Sequence, residues 1–328
     1  MKNKIILFLV LCFCFNLAGF AQSTVHESVK FQSKKLGKEV SYSIYLPDGY
    51  NSSERYYPVL YLLHGYTDDE TMWIQTGQMQ EITDRAICSD QAVPMIVVMP
   101  DAWDTWYINQ YDGKVPYEDM FFEELIPHIE KTYRARSNKE FRAIAGLSMG
   151  GYGSFLYTLH HPDMFSACAP LSAAIFDDSV MERRQAESHK DLFGRLFGPG
   201  LDYWHKNSVL KMLSELDKEN LPRIRYYIDC GDQDGLLDGN FQAHKIMREK
   251  GMKHEFRVRG GGHTWLYWRT ALPNVLEFVS GAFRRGSIVI STKIPPKHTG
   301  APHYAQQLHT HILAPEGTLL LSFTMTRR

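Results

Sequence analysis

Ser148, Asp234 and His263 are the side chains of this sequence whose types and surroundings could carry nucleophilic acyl transfer. Ser148 lies in Gly146-Leu-Ser-Met-Gly150, a G-x-S-x-G pattern. A serine hydroxyl is a weak nucleophile near neutral pH until a base takes its proton during attack. A histidine whose tautomer is held by a carboxylate is such a base. His263 follows Gly260-Gly-Gly262, a run that costs stability unless the backbone needs its freedom. The carboxylate must come from the loop around Cys230-Gly-Asp-Gln-Asp234, where Asp229, Asp232, Asp234 and Asp238 crowd together. Asp229 reads as part of a strand and Asp238 as the start, or cap, of a helix. Asp234 is the first choice for the acid and Asp232 the second. A G-x-S-x-G arises by accident about 0.1 times in a chain of this length at average Gly and Ser usage, so the motif gains its meaning from these partners.

The three side chains can meet only if the intervening chain alternates strands and helices. The apolar run Ala143 to Ala145 predicts a buried strand, and Tyr152 to Leu159 predicts a helix. Ser148 then falls on a sharp strand-to-helix turn that strains its backbone, demands small neighbours, and sets the positive end of a helix dipole beneath the hydroxyl. Pro58 to Leu63 is continuously apolar, as in a strand covered on both faces, and ends in His64-Gly-Tyr-Thr-Asp68. Gly65 lets the chain bend there so that the Tyr66 N–H points at a developing oxyanion. An ordinary turn after a strand is the competing reading. A helix is expected over Met79 to Cys88, a strand over Met95 to Met99, an aromatic loop over Pro100 to Asn109, and one amphipathic helix over Tyr117 to Tyr133. Further strands are expected at Ala167 to Ala173, Ile224 to Asp229 and Glu255 to Arg259. Helices are expected at Leu210 to Leu216, Gly239 to Lys250 and Tyr267 to Phe283. Val29 to Ser33 and Val40 to Leu46 alternate in polarity, which predicts antiparallel strands around Leu36-Gly-Lys38. The whole implies an α/β fold with a mostly parallel sheet flanked by helices. Between Ile175 and Val209 the regularity lapses; residues 176–209 read either as a lid or pocket wall, or as a solvated excursion over the core.

A formal net charge of -1 over 328 residues gives no electrostatic case for nucleic acid or an anionic membrane. The basic start Met1-Lys-Asn-Lys4, the apolar stretch Ile5 to Phe15, and Gly19 and Ala21 predict a secretory signal peptide over residues 1–21. A membrane anchor is the alternative, disfavoured because the apolar run falls short of the roughly 20 residues a span needs. Export to the periplasm or beyond follows, with no stable membrane insertion once the leader is cut. Cys88, Cys168 and Cys230 remain in the mature chain, too few and too scattered for a disulfide framework. Residues 22–285 are expected to form the catalytic domain. Residues 286–328 do not continue the pattern and read as an extension of unknown role and doubtful order. Its His298, His303, His309 and His311 lack an accompanying carboxylate or cysteine cluster, so no metal is expected.

Leu62-Leu-His-Gly65, Gly146-Leu-Ser-Met-Gly-Gly151, Gly231-Asp-Gln-Asp234 and Gly262-His-Thr-Trp265 occur in an order that resembles the Putative esterase family of α/β-hydrolases. That family includes esterase D, feruloyl and acetylxylan esterases, and bacterial mycolyltransferases. The resemblance covers roughly Glu27 to Arg285. It implies Ser148 as nucleophile, Asp234 as acid, His263 as base, and the backbone N–H groups of Tyr66 and Met149 as oxyanion donors, with no metal or organic cofactor. Export and the aromatic loop favour, within the family, a carbohydrate esterase that removes feruloyl or acetyl groups from xylan. Asp101, Trp106, Tyr107 and Trp265 are the candidate contacts to a small-molecule or oligosaccharide ester, with Trp103 and Trp268 in the same aromatic set. The plainer reading is that half or more of these aromatics pack in the core. An S-formylglutathione hydrolase, an acyltransferase, and an inactive carbohydrate-binding protein on the same scaffold are the alternatives.

Overall fold

The computed structural model describes residues 23–186, 190–292, 308–313 and 319–325. Strands β1 (Thr24–Ser33) and β2 (Lys38–Leu46) pair antiparallel around Gly37, whose φ of +64° a side chain would resist. Strands β3 (Val59–Leu63), β4 (Ile96–Pro100), β5 (Arg142–Leu147) and β6 (Ala167–Leu171) are buried at every residue. Apart from Arg142 at the start of β5, their apolar runs have this cause, since helices cover both faces of the sheet. With β7 (Arg225–Gly231) and β8 (His254–Arg259) the sheet has eight strands in the order β1-β2-β4-β3-β5-β6-β7-β8. The β2–β4 pair is antiparallel, and every pair from β4 to β8 is parallel.

Side chains alternate between two apolar layers, as the period of a strand requires. From β3, Val59, Tyr61 and Leu63 enter one layer while Leu60 and Leu62 enter the other. The second layer is closed by α1 (Met72–Gln75), α2 (Met79–Cys88) and α11 (Trp265–Thr292), which bring Trp73, Ile82, Leu272 and Val275. The first layer is closed by α5 (Met149–His160), α9 (Val209–Glu215), α10 (Leu237–Lys250) and the helical stretch that follows β4. That stretch is expected to be one helix but is built as α3 (Tyr117–Met120), a π-helical turn at Phe121–Leu125, and α4 (Ile126–Thr132). Pro127 stands at the start of α4 and has no N–H to continue the α-helical bonding, so the ladder widens just before it.

Residues 176–209 are more regular than their sequence suggests. They carry α6 (Asp178–Ala186), α7 (Lys190–Phe197) and α8 (Asp202–Asn207), too short to show a clear period. Phe193, Leu196 and Phe197 of α7 share one face and are buried, and Gly198 and Gly200, both with positive φ, turn the chain toward α8. Asp238 is not a cap: α10 begins after Leu236, and Asp238 lies in its first turn. Beyond the expected end at Phe283, α11 continues to Thr292. Strands β9 (Leu308–Leu313) and β10 (Leu319–Met325) pair antiparallel as a separate two-stranded sheet. His309 and His311 belong to β9, whereas His298, His303 and the leader 1–21 lie outside the described residues. Among the described residues no helix is long and apolar enough to cross a membrane.

Candidate active site

Ser148 sits between β5 and α5 at φ 54° and ψ −115°, a conformation rarely tolerated by a residue with a side chain. Three backbone bonds hold it there: its N–H donates to the Leu171 carbonyl at 2.9 Å, and its own carbonyl accepts from Tyr152 and Ala174. Strain of this kind costs on the order of 1–3 kcal/mol and persists only where the surroundings over-determine it. The flanking glycines are explained by contact. A Cβ on Gly150 would stand 2.5 Å from the Leu63 carbonyl oxygen and 2.6 Å from that of His64, and a Cβ on Gly146 would strike the Gly150 carbonyl. The motif therefore records how closely β3, β5 and α5 converge beneath the serine.

The hydroxyl of Ser148 lies 3.0 Å from Nε2 of His263. Nδ1 of the same ring lies 2.9 and 3.1 Å from the two carboxylate oxygens of Asp234. A ring that donates from Nδ1 to a carboxylate presents the Nε2 lone pair to the hydroxyl. Trp268 packs edge-on against the imidazole at 4.9 Å and donates its indole N–H to Ser172. Burial pushes the Asp234 carboxyl up, but the hydrogen bonds from His263, the Leu236 N–H and the Ser172 hydroxyl outweigh it and hold the group below its ordinary value. Asp232 has another place: its carboxylate accepts the Gly261 N–H at 2.9 Å and braces the glycine run. Below both loops, buried Asp229 takes hydrogen bonds from Tyr227 and Tyr267 and an ion pair from Arg259 at 3.0 Å, tying β7, β8 and α11 together.

Gly65 and Tyr66 follow β3 on the other side of the serine. His64 is buried; its Nε2 accepts the Ala102 N–H at 2.8 Å, so the ring proton sits on Nδ1 and is donated to the Gly65 carbonyl at 2.8 Å. A planar trans peptide points its N–H opposite to its C=O, so the orientation of the Tyr66 N–H follows from that bond. Among the described residues neither the Tyr66 nor the Met149 N–H donates to a protein acceptor. The Met149 N–H is one of the free donors at the start of a helix.

Residues 33–279 match the model of the family described as Putative esterase. The chain belongs to that family. The chain is 28% identical over 260 residues to an endo-1,4-beta-xylanase/feruloyl esterase of Xylanibacter ruminicola, covering 76% of this chain and 31% of that protein. It is 25% identical over 230 residues to an acetyl esterase of Caldicellulosiruptor saccharolyticus, covering 67% of this chain and 82% of that one. Among solved structures a ferulic acid esterase superposes with a TM-score of 0.72 at 35% identity, over 80% of this chain and 99% of the other. The chain thus spans about a third of the two-activity xylanase relative and nearly all of the solved esterase.

A cavity of about 230 Å³ opens at Ser148 and His263, walled by Tyr66, Asp68, Trp265 and Trp268. This is smaller than the ~300–1,000 Å³ of pockets that enclose a drug-sized ligand. Three expected contacts are not there. Trp106 is buried among Tyr152, Phe176 and Phe193. Tyr107 is fully buried and donates its hydroxyl to the His64 carbonyl at 3.0 Å. Asp101 is also buried, and its carboxylate accepts the Trp103 N–H at 2.9 Å. The loop turns inward because Trp103, Trp106 and Tyr107 all adopt positive φ, which no feature of the sequence announces. Trp103 lies under the Lys38 ammonium group and against Tyr117, and is not among the residues that wall the cavity. Of the expected contacts Trp265 does wall the cavity, together with Trp268. Asp68 and Ser172 are the residues that sequence reasoning missed. Ser172, at φ 44°, had one signal, its position just beyond the end of a buried parallel strand.

Proposed function

We propose that this esterase is an exported serine carbohydrate esterase that removes feruloyl or acetyl groups from plant polysaccharide through an acyl-enzyme. The observation that carries the reading is the unbroken line from the Ser148 hydroxyl through His263 to Asp234, at 3.0 and 2.9 Å. In this mechanism Ser148 Oγ attacks the ester carbonyl while His263 Nε2 takes its proton. Asp234 keeps the imidazole in the useful tautomer and stabilises the imidazolium. The carbonyl oxygen, now negative, is met by the N–H groups of Tyr66 and Met149, fixed beforehand by the His64 bond and by the helix start. Collapse of the intermediate breaks the bond to the alcohol, which leaves with the proton from His263. Water then enters, gives a proton to the same nitrogen and attacks the acyl-serine, returning Ser148 and releasing the acid.

The polysaccharide part of the reading is supported by the names of the relatives, by the indole of Trp265 at the cavity, and by the leader-like residues 1–21. The test is turnover of p-nitrophenyl acetate, methyl ferulate and acetylated or feruloylated xylo-oligosaccharides by the mature chain and by Ser148→Ala. Loss of most turnover with the fold retained is expected in the variant. Comparable turnover in the variant would place the nucleophile elsewhere, and binding of xylan with no hydrolysis of any ester would favour a binding protein.

A further inference from the structure

Asp68 stands in the same cavity as Ser148 and His263, and acyl transfer as written above gives it nothing to do. The carboxylate that the base requires is already supplied by Asp234. Asp68 is half-buried, the Gly65 N–H lies beside it, and among the described residues no side chain donates to it or forms an ion pair with it. A carboxylate offers about four acceptor positions, so most of its capacity is left for water or for a group that enters the cavity. Burial pushes this carboxyl up, opposed by His64, the Gly65 N–H and His263.

The neighbours narrow the class of ligand. Trp265 and Trp268 put aromatic surface in the cavity that the acid also lines. Aromatic surface with an adjacent acceptor suits a neutral ring that carries hydroxyl groups, whose C–H or π face lies on the indole while a hydroxyl donates to the carboxyl. A phosphate or free carboxylate is repelled at that position, and a bare alkyl ester has nothing to offer it.

We propose that Asp68 is a specificity-determining residue that accepts a hydrogen bond from a hydroxyl of the ester substrate. The hydroxyl is either on the sugar alcohol or on a phenolic acyl group. This inference rests on the hydrolase reading and deepens it by naming the group that the site selects.

The experiment measures selectivity as a ratio within two pairs of esters. One pair is acetylated xylobiose against p-nitrophenyl acetate; the other is methyl ferulate, which has a phenolic hydroxyl, against methyl 3,4-dimethoxycinnamate, which has none. In Asp68→Ala the ratio of kcat/KM, hydroxyl-bearing over hydroxyl-free, is expected to fall about tenfold or more in one pair, the loss typical of a hydrogen bond to a charged group. Asp68→Asn keeps an acceptor oxygen and is expected to recover part of that ratio. A fall in the first pair identifies the sugar as the source of the hydroxyl, and a fall in the second identifies the acyl group. Equal losses of kcat/KM on both members of each pair would mean that Asp68 only shapes the Gly65 turn, and kcat/KM unchanged on all four esters would mean that it contacts nothing; either overturns the proposal. Wild-type enzyme active on these esters with ratios indifferent to Asp68 refutes this inference alone, whereas wild-type enzyme inert toward all four refutes the hydrolase reading and this one with it.

Discussion

Replacing His64 tests whether the oxyanion site is set by a hydrogen bond rather than by the glycine turn alone. The ring bridges the Ala102 N–H and the Gly65 carbonyl, both at 2.8 Å, in a fully enclosed position. His64→Leu fills much of the volume but leaves the Ala102 donor without an acceptor. A buried polar group left unpaired costs about 1–3 kcal/mol. The Gly65 carbonyl keeps the Asp68 N–H at 3.2 Å, so its loss is partial. A stability loss of about 2–3 kcal/mol is therefore expected, small enough to leave a folded protein. The Tyr66 N–H, however, is no longer aimed. Losing one oxyanion donor lowers kcat by about 10²–10³, and the surviving turn bond places His64→Leu toward the lower end of that range, with KM little changed. His64→Asn carries an amide N–H close to the Nδ1 position and should recover at least tenfold of the lost kcat, though it still strands Ala102. The assay is kcat and KM on p-nitrophenyl acetate, with urea unfolding followed by circular dichroism. If folded His64→Leu keeps kcat within threefold of wild type, or if Asn is no better than Leu, the reasoning is wrong.

Asp234→Asn should lower kcat about 10⁴-fold, whereas Asp232→Asn, which only loosens the glycine run, should lower it a few-fold; steady-state kinetics on one ester distinguishes the two. Gly150→Ala should fail to fold or should unfold well below wild type on heating, because the Leu63 and His64 carbonyls that its Cβ meets are backbone atoms with little room to retreat. Glu118 accepts from His160 and His161, each at 2.8 Å, and these bonds outweigh burial, depressing the Glu118 carboxyl and raising His160. The His160 contribution is complete below its unfolded pKa of about 6.5 and is lost as pH rises through the raised folded value. The Glu118 contribution is complete above about 4.3 and is lost as pH falls through the depressed one. Tm should thus peak between these limits, and His160→Gln should flatten the alkaline side. Arg259→Leu removes the cation from buried Asp229 and should cost about 3 kcal/mol in urea unfolding, near the lower end of the range for breaking a buried pair because Arg259 is one-third exposed.

Ser148, Asp234 and His263 were legible because each is accompanied by residues that only an unusual backbone needs. Gly146 and Gly150 mark a collision avoided, and Gly261, at φ +143°, marks a turn in which a Cβ would strike Tyr267. The parallel core strands were legible because burial on both faces leaves runs made mostly of apolar residues. The aromatic loop was misread because composition does not tell inward from outward. Trp106 and Tyr107 would suit a rim equally well, and it is their left-handed backbone that turns them into the core. Asp68 was passed over because a lone acid in a polar turn looks like any solvated residue until the fold brings His263 and Trp265 around it. Helices α6 to α8 escaped notice because segments of six to nine residues, interrupted by glycine and proline, carry too few turns to display a period.

Ser148 hangs from the middle of the sheet, but His263 is reached from β8, which has a neighbour on one side alone. Margins of sheets open more readily than their centres. Mild heating or denaturant should therefore separate imidazole from hydroxyl while the bulk of the backbone still gives its full spectroscopic signal, and loss of catalysis becomes the earliest reporter of damage to the molecule.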